Sequence, residues 1–182
     1  MKKHLISAFA VAAMAFFAVS SGSDKKEGDA AKTETKAGEE KKDNWTYTQD
    51  EDKMEGTKYD FAKAESTNKV ELKFPYDGGI TAGITLRNNG KESEAMLTLS
   101  KGRFMTSIGG NKTVKVKFDD QPAKEYTYGS PNDGSGNVIF LDNSKDFIKK
   151  IKDSKKAMLE VTFFQEGAQI FEFNTEGLKW DK

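Results

Sequence analysis

The sequence predicts an all-β protein, a β-sandwich or a distorted barrel of many short antiparallel strands with one short helix near residues 144–153. Three observations predict this class. From residue 45 onward, apolar and polar residues alternate with the period of two that is typical of strands. Clusters of glycine, asparagine and proline interrupt the alternation at roughly regular intervals, as turns do. A single segment has the spacing of an amphipathic helix instead.

The first half of the region predicts strands joined by tight turns. Apolar residues alternate with polar ones at Trp45 and Tyr47, at Tyr59 and Phe61, at Val70, Leu72 and Phe74, at Ile80, Ala82, Ile84 and Leu86, and at Ala95, Leu97 and Leu99. The segment 75–79 (PYDGG) predicts a turn, and the segment 88–90 (NNG) predicts a hairpin between the last two strands.

The second half continues the pattern. Further alternating segments lie at Val114, Val116 and Phe118, at Tyr126 and Tyr128, at Leu159, Val161 and Phe163, and at Phe171 and Phe173. The unbroken apolar run Val138–Leu141 predicts a strand that is covered on both faces. Turns are predicted at 119–122 and 166–167 and a longer loop at 130–136 (SPNDGSG), each from its composition.

The predicted helix has a start signal and two distinct faces. Asn143 is a favourable N-cap residue, and Asp146 lies in the first turn, where a negative charge is stabilised. The apolar face consists of Phe147, Ile148 and Ile151, and the opposite face of Lys145, Lys149, Lys150 and Lys152. This arrangement predicts a helix packed with one side on the sheet.

The residues before the β-rich region predict an exported protein. Residues 1–22 combine a basic start, an apolar run over 5–19 and a small-residue exit, which indicates an export signal. Residues 23–44 contain no aromatic residue and no apolar residue larger than alanine, so we expect a disordered, charged tether. The β-sandwich domain then occupies 45–182. The expected location is extracytoplasmic, in the periplasm or associated with the outer membrane.

The leader also resembles that of bacterial lipoproteins. In those leaders a sequence such as Val19-Ser20-Ser21 precedes a cysteine that carries the lipid. Gly22 stands at that position, and the chain contains no cysteine. A membrane is therefore expected as a partner only if an anchoring cysteine has been lost.

Composition excludes several classes of function. The only histidine is His4, within the leader, so residues 45–182 have neither imidazole nor thiol. Ser-His-Asp and Cys-His hydrolases, thiol redox enzymes and zinc sites built on histidine or cysteine are thereby excluded. The chain has 29 basic and 29 acidic residues, without the basic excess of nucleic-acid-binding domains. No cofactor is expected, and the oligomeric state stays open.

Two sets of charged residues have a functional and a structural interpretation. Asp119, Asp120, Asp133 and Asp142 provide carboxylates for glycoside hydrolysis without histidine, but each is also an ordinary turn residue. The loop around Asp133 offers oxygen ligands for calcium, with few carboxylates. The lysine-rich stretch 145–156 either contacts anionic lipid or cell-wall polymer or is a solvated helix face.

Aromatic residues are the other candidates for ligand contact. Tyr76, Tyr126 and Tyr128, together with Trp45, either line a sugar or peptide site or pack in the core and across strands. With Asp133, the three tyrosines are the candidate ligand contacts. No catalytic, cofactor-binding or metal-binding residue is predicted.

Several stretches resemble a poorly characterised family of envelope domains from Gram-negative bacteria. They are the segments 69–79, 97–105, 114–120, 137–167 and 169–180. The second half is more distantly similar to accessory proteins associated with type VI secretion. The resemblance implies an envelope β-sandwich. It provides no catalytic residues to carry over and says little about activity.

Together these observations predict a non-catalytic cell-envelope module that binds a protein or a cell-wall or glycan partner. Two alternatives remain open. One is a hydrolase that uses carboxylates alone, with two of them converging in a cleft. The other is a surface inhibitor of a protease or lysozyme, with the loop 130–136 as its protruding element.

Overall fold

The computed structural model describes residues 44–74, 76–105, 112–163 and 166–182, and they form an almost entirely β structure. The all-β prediction is therefore confirmed. The predicted export signal lies outside the described residues, as does the predicted tether except for Asn44. Both stay predictions.

Nine strands and one helix make up the described chain. In chain order they are β1 (Thr46–Asp52), β2 (Thr57–Glu65), β3 (Ala82–Asn88), β4 (Ser93–Leu99), β5 (Thr113–Phe118), β6 (Lys124–Gly129), β7 (Val138–Leu141), α1 (Ser144–Asp153), β8 (Lys156–Phe163) and β9 (Gly167–Asn174).

All nine strands belong to one antiparallel sheet with the order β1-β2-β3-β4-β7-β6-β5-β8-β9. Strand β6 joins its two halves. Thr127 of β6 pairs with Thr113 of β5, whereas the next residue, Tyr128, pairs with Leu141 of β7. A strand that changes partners in this way turns the corner between two packed layers. The sheet therefore folds over on itself around a single core.

A short strap, residues 67 and 68, ties the far end of the sheet to β2. The backbone N–H and hydroxyl of Thr67 donate to the carbonyl of Glu172 at 2.7 and 3.1 Å. The Asn68 amide donates to the carbonyl of Ile170 at 2.9 Å, and its oxygen accepts the Glu172 N–H at 2.8 Å. The strap thus covers part of the β9 edge and brings the sheet close to the distorted-barrel form of the prediction.

The helix closes the core in the predicted way. Its N-cap, Asn143, accepts the N–H of Asp146, and Phe147, Ile148 and Ile151 are buried. Phe147 packs edge-on against Phe118 and Tyr126, with ring centroids 5.7 and 5.6 Å apart. The centroids of Phe118 and Tyr126 are 6.4 Å apart. We call these three rings the inner aromatic cluster.

One strand prediction is wrong, and a second is correct in its position but not in its burial. Val70, Leu72 and Phe74 do not form a strand: only an isolated bridge joins Val70 to Ile80, and Phe74 is 83% exposed. A tight turn stops the pairing, since the N–H of Tyr76 donates to the carbonyl of Lys73 at 2.8 Å. The run Val138–Leu141 is a strand, but only one of its faces is fully buried.

Candidate functional site

The solvent-facing side of β2, β3, β4 and β7 has unusually many aromatic residues. Phe61 lies opposite Arg87, and Arg87 lies opposite Glu94 on the next strand. In the adjoining row, Met96 lies opposite Phe140 of β7. The outer face of an antiparallel sheet is ordinarily polar, so this composition points to a contact role. We call Tyr59, Phe61, Arg87 and Phe140 the aromatic surface.

Arg87 is held in place at the centre of the aromatic surface. Its guanidinium carbon lies 5.6 Å from the ring centroid of Tyr59 and 5.5 Å from that of Phe140. The Nε donates to the Glu94 carboxylate at 2.8 Å, and an Nη atom donates to the same oxygen. These contacts order the side chain before any partner arrives, which lowers the entropic cost of binding.

Cations lie over the rings of this surface. The Lys63 ammonium is 5.4 Å from the ring centroid of Phe61, and the Phe61 and Tyr59 centroids are 6.3 Å apart. Tyr59, Phe61 and Phe140 are all half-buried. An arriving partner therefore meets ring edges and aliphatic stems flanked by positive charge, the composition enriched in protein interfaces.

The sequence pattern did not locate the aromatic surface because alternation does not say which face is inside. In β2 the core is lined by Ala62 and Ala64, which are 0% and 4% exposed, whereas Tyr59 and Phe61 point outward. The sequence signal that could have located the aromatic surface is the alternation within β2, where two aromatic residues lie on one face and two alanines on the other.

The structure distributes the predicted aromatic candidates over separate parts of the fold. Tyr76 is half-buried and packs edge-on against Phe163 at 5.8 Å. Tyr126 and Tyr128 are 2% and 5% exposed. Trp45 is also buried, and its indole N–H donates to the carbonyl of Thr175. Tyr126 and Tyr128 lie on the same buried side of β6, and contact of any of the four residues with a ligand stays a prediction.

The hydroxyls of the two buried tyrosines have internal partners. Tyr128 donates to the carbonyl of Met105 at 2.9 Å, and Tyr126 donates to the Asp146 carboxylate at 2.7 Å. Burial, followed by the bond to Asp146, raises the pKa of the Tyr126 phenol. The bond from Lys124, followed by that from Tyr126, lowers the pKa of the Asp146 carboxyl. This arrangement stabilises the start of α1.

Two of the candidate carboxylates are engaged by backbone. Asp119 has a left-handed φ of 45°, and one carboxylate oxygen accepts the N–H groups of Lys155 and Lys156 at 3.0 and 2.8 Å. Asp133 accepts the N–H of Ser135 at 2.8 Å, a bond that leads the lowering of its pKa. These are turn geometries, in keeping with the structural interpretation of the sequence.

The remaining sequence candidates are placed as follows. The loop 130–136 is tied to the body, because Arg103 donates to the carbonyl of Gly134 and the N–H of Phe104 donates to that of Gly136. Asp120 and Asp142 are exposed in turns. Among the described residues, no three acidic side chains gather closely enough to hold a metal ion.

A second surface feature lies at one end of the sheet. A groove of about 500 Å³ is bounded by the β3–β4 turn, the outer face of α1 and the segment 180–182. Five lysines and three acidic residues line it, and the lysines include Lys91, Lys145 and Lys149. We call this feature the lysine groove. It contains part of the lysine-rich stretch 145–156.

Comparison of the chain with protein-family models, curated proteins and solved structures finds no significant match. Within the described ranges, no helix has the length and hydropathy required to cross a membrane.

Proposed function

We propose that this protein is a non-catalytic interaction module of the bacterial cell envelope, which binds a protein or a cell-wall or glycan partner through the aromatic surface. The observation that carries the proposal is the fixed position of Arg87 between Tyr59 and Phe140 on an outer sheet face. Arginine and aromatic residues dominate the energetics of protein interfaces. Arg87 and the two rings are already ordered, so binding a partner requires little further ordering of these side chains.

The envelope location rests on the sequence. The export-signal pattern over 1–22 and the lipoprotein-like junction before Gly22 support it, as does the resemblance to Gram-negative envelope domains. A charged tether over 23–44 fits a domain held away from a surface. Depending on the natural anchor, the domain belongs in the periplasm or at the outer membrane.

The non-catalytic assignment rests on chemistry. Residues 45–182 offer no imidazole and no thiol, which excludes Ser-His-Asp and Cys-His hydrolases and leaves the turn carboxylates as the candidates that the sequence offered. Asp119 and Asp133 already accept backbone hydrogen bonds. Using either of them as a base or nucleophile would disrupt the turn that it stabilises.

Between the two kinds of partner, the geometry favours a protein. A sugar stacks on the open face of an aromatic ring, but Arg87 lies over Tyr59 and Phe140, and Lys63 lies over Phe61. A protein partner gains from burying the ring edges and the arginine stem without displacing these cations.

The test compares residues 44–182 with a double variant, Phe61→Ser/Phe140→Ser, as baits for envelope proteins and for purified cell wall. The matched control is Met54→Ser/Phe74→Ser, which removes two apolar side chains that are 94% and 83% exposed elsewhere. We expect the first variant to lose the partner and the control to retain it. Retention by both variants, or loss by both, contradicts the proposal.

A further inference from the structure

The lysine groove has its own chemistry, separate from that of the aromatic surface. One wall is the exposed face of α1, which presents Lys145 and Lys149, and the opposite wall is the β3–β4 turn, which presents Lys91. Ile148 and Trp180 lie between them and are 8% and 3% exposed. The groove thus has an apolar floor and positively charged rims.

Three of the groove lysines have no acidic partner among the residues that the structure describes. No carboxylate of the described residues lies within ion-pair distance of Lys91, Lys145 or Lys149. The other two are engaged: Lys152 pairs with Asp181 at 2.9 Å, and Lys182 pairs with Asp60 at 2.7 Å. The groove also contains the carboxylates of Glu92, Asp153 and Asp181. Its five lysines outnumber them, so the formal charge of the groove is +2 and favours an anion.

Beneath the floor of the groove, the indole N–H of Trp180 is buried and is not accessible to a ligand. The indole N–H of Trp180 is the only buried side-chain polar atom without a hydrogen-bond partner in the part of the chain that the structure describes. A buried donor without an acceptor is unfavourable. Lys152 holds this tryptophan in position by donating to its backbone carbonyl at 2.5 Å.

The spacing of the lysines indicates the shape of the ligand. Lys145 and Lys149 are one helical turn apart, about 6 Å along the axis. Alternate side chains of an extended peptide lie about 6.6 Å apart on one face. A groove of about 500 Å³ has room for one such segment.

We propose that the lysine groove binds an extended acidic peptide segment of a protein partner, with carboxylates at alternate positions contacting Lys145 and Lys149 and a further carboxylate contacting Lys91. This site goes beyond the proposed function of the aromatic surface and does not depend on it. The apolar floor accommodates the aliphatic part of the segment.

The test uses the full chain and a fluorescent peptide in which glutamate alternates with serine, with binding followed by anisotropy at low and at moderate salt. The groove variant is Lys91→Gln/Lys145→Gln/Lys149→Gln. The matched control is Lys58→Gln/Lys69→Gln/Lys112→Gln, which removes the same charge from exposed lysines outside the groove. We expect the groove variant to weaken binding about tenfold and the control to change it less than about twofold.

Three results would overturn this proposal: equal weakening by both triple variants, absence of saturable peptide binding, or groove-dependent binding of anionic vesicles in place of the peptide. Circular dichroism verifies that both variants fold, and single lysine variants replace any triple variant that does not. Because Phe61 and Phe140 remain intact in all of these proteins, failure here leaves the aromatic surface as a separate question.

Discussion

The inner aromatic cluster and the aromatic surface contain the same kinds of side chain, but these side chains differ in what they contact. Phe118, Tyr126 and Phe147 are all at most 3% exposed and pack edge-on against one another. Tyr59 and Phe61, by contrast, are half-buried and flanked by cations. The two regions therefore differ in burial and not in residue type or alternation. Fully buried rings stabilise the fold, whereas half-buried rings are available for contact with a partner.

The largest contrast is expected from truncating one ring in each region. Phe147→Ala should lower the free energy of unfolding by about 3–5 kcal/mol, because it leaves a cavity among three packed rings. Phe61→Ala should lower it by about 1 kcal/mol or less, since that ring is already in contact with water. Urea unfolding of both variants provides the measurement. Similar losses of unfolding free energy in the two variants would mean that Phe61 stabilises the fold as much as Phe147 does.

A smaller loss is expected when the inner ring stays and only its hydroxyl is removed. Tyr126→Phe removes the donor to Asp146 while leaving the edge-on packing in place. We expect a loss of about 1.5–3 kcal/mol in the free energy of unfolding, the usual contribution of a hydrogen bond to a charged group. Thermal or urea unfolding measures it, and a neutral result would show that the hydroxyl contributes nothing.

The same carboxylate should make part of the stability depend on pH. Since Lys124 and Tyr126 lower the pKa of Asp146 below its ordinary 3.8, this contribution is complete above that value and is lost as the pH falls through the lowered pKa. Asp146→Asn removes it. The difference in unfolding free energy between the wild type and this variant should shrink between about pH 5 and pH 2. A difference independent of pH would contradict the assignment.

The smallest change in stability is expected at the centre of the aromatic surface. Arg87→Ala removes a half-exposed ion pair and two ring contacts, so the free energy of unfolding should fall by about 1 kcal/mol or less. Partner binding should nevertheless be lost, because Arg87 positions the contact surface. The free energy of unfolding and the capture of the partner are both measured on the Arg87→Ala variant. If Arg87→Ala caused a large loss of stability and left partner binding intact, Arg87 would stabilise the fold and would not belong to the contact surface.

The sequence predicted the elements that depend on local signals. The helix Ser144–Asp153 and its buried face are confirmed, since the cap and the spacing of Phe147, Ile148 and Ile151 lie within one short segment. The hairpin at 88–90 is also confirmed between β3 and β4. The pairing of β4 with β7 and of β5 with β8 was not predicted, because no local pattern specifies which distant strands become neighbours.

The candidate site was less predictable for the same reason. Arg87 meets Tyr59 and Phe140 only because three strands that are separate in sequence come into register. The lysine-rich face of α1 was visible in the sequence, but the opposing wall at Lys91 was not. The composition showed which reactive side chains residues 45–182 lack. The aromatic surface and the lysine groove could be located only once the fold was known.

The strap has a consequence for how the molecule is made. Thr67 and Asn68 reach acceptors that lie 105 and 102 positions later in the chain, and Trp45 reaches one 130 positions later. The strap can therefore close only after the chain has been synthesised as far as Glu172. Contacts of such long range also slow folding. The tie between the strap and β9 is thus expected to form late in folding.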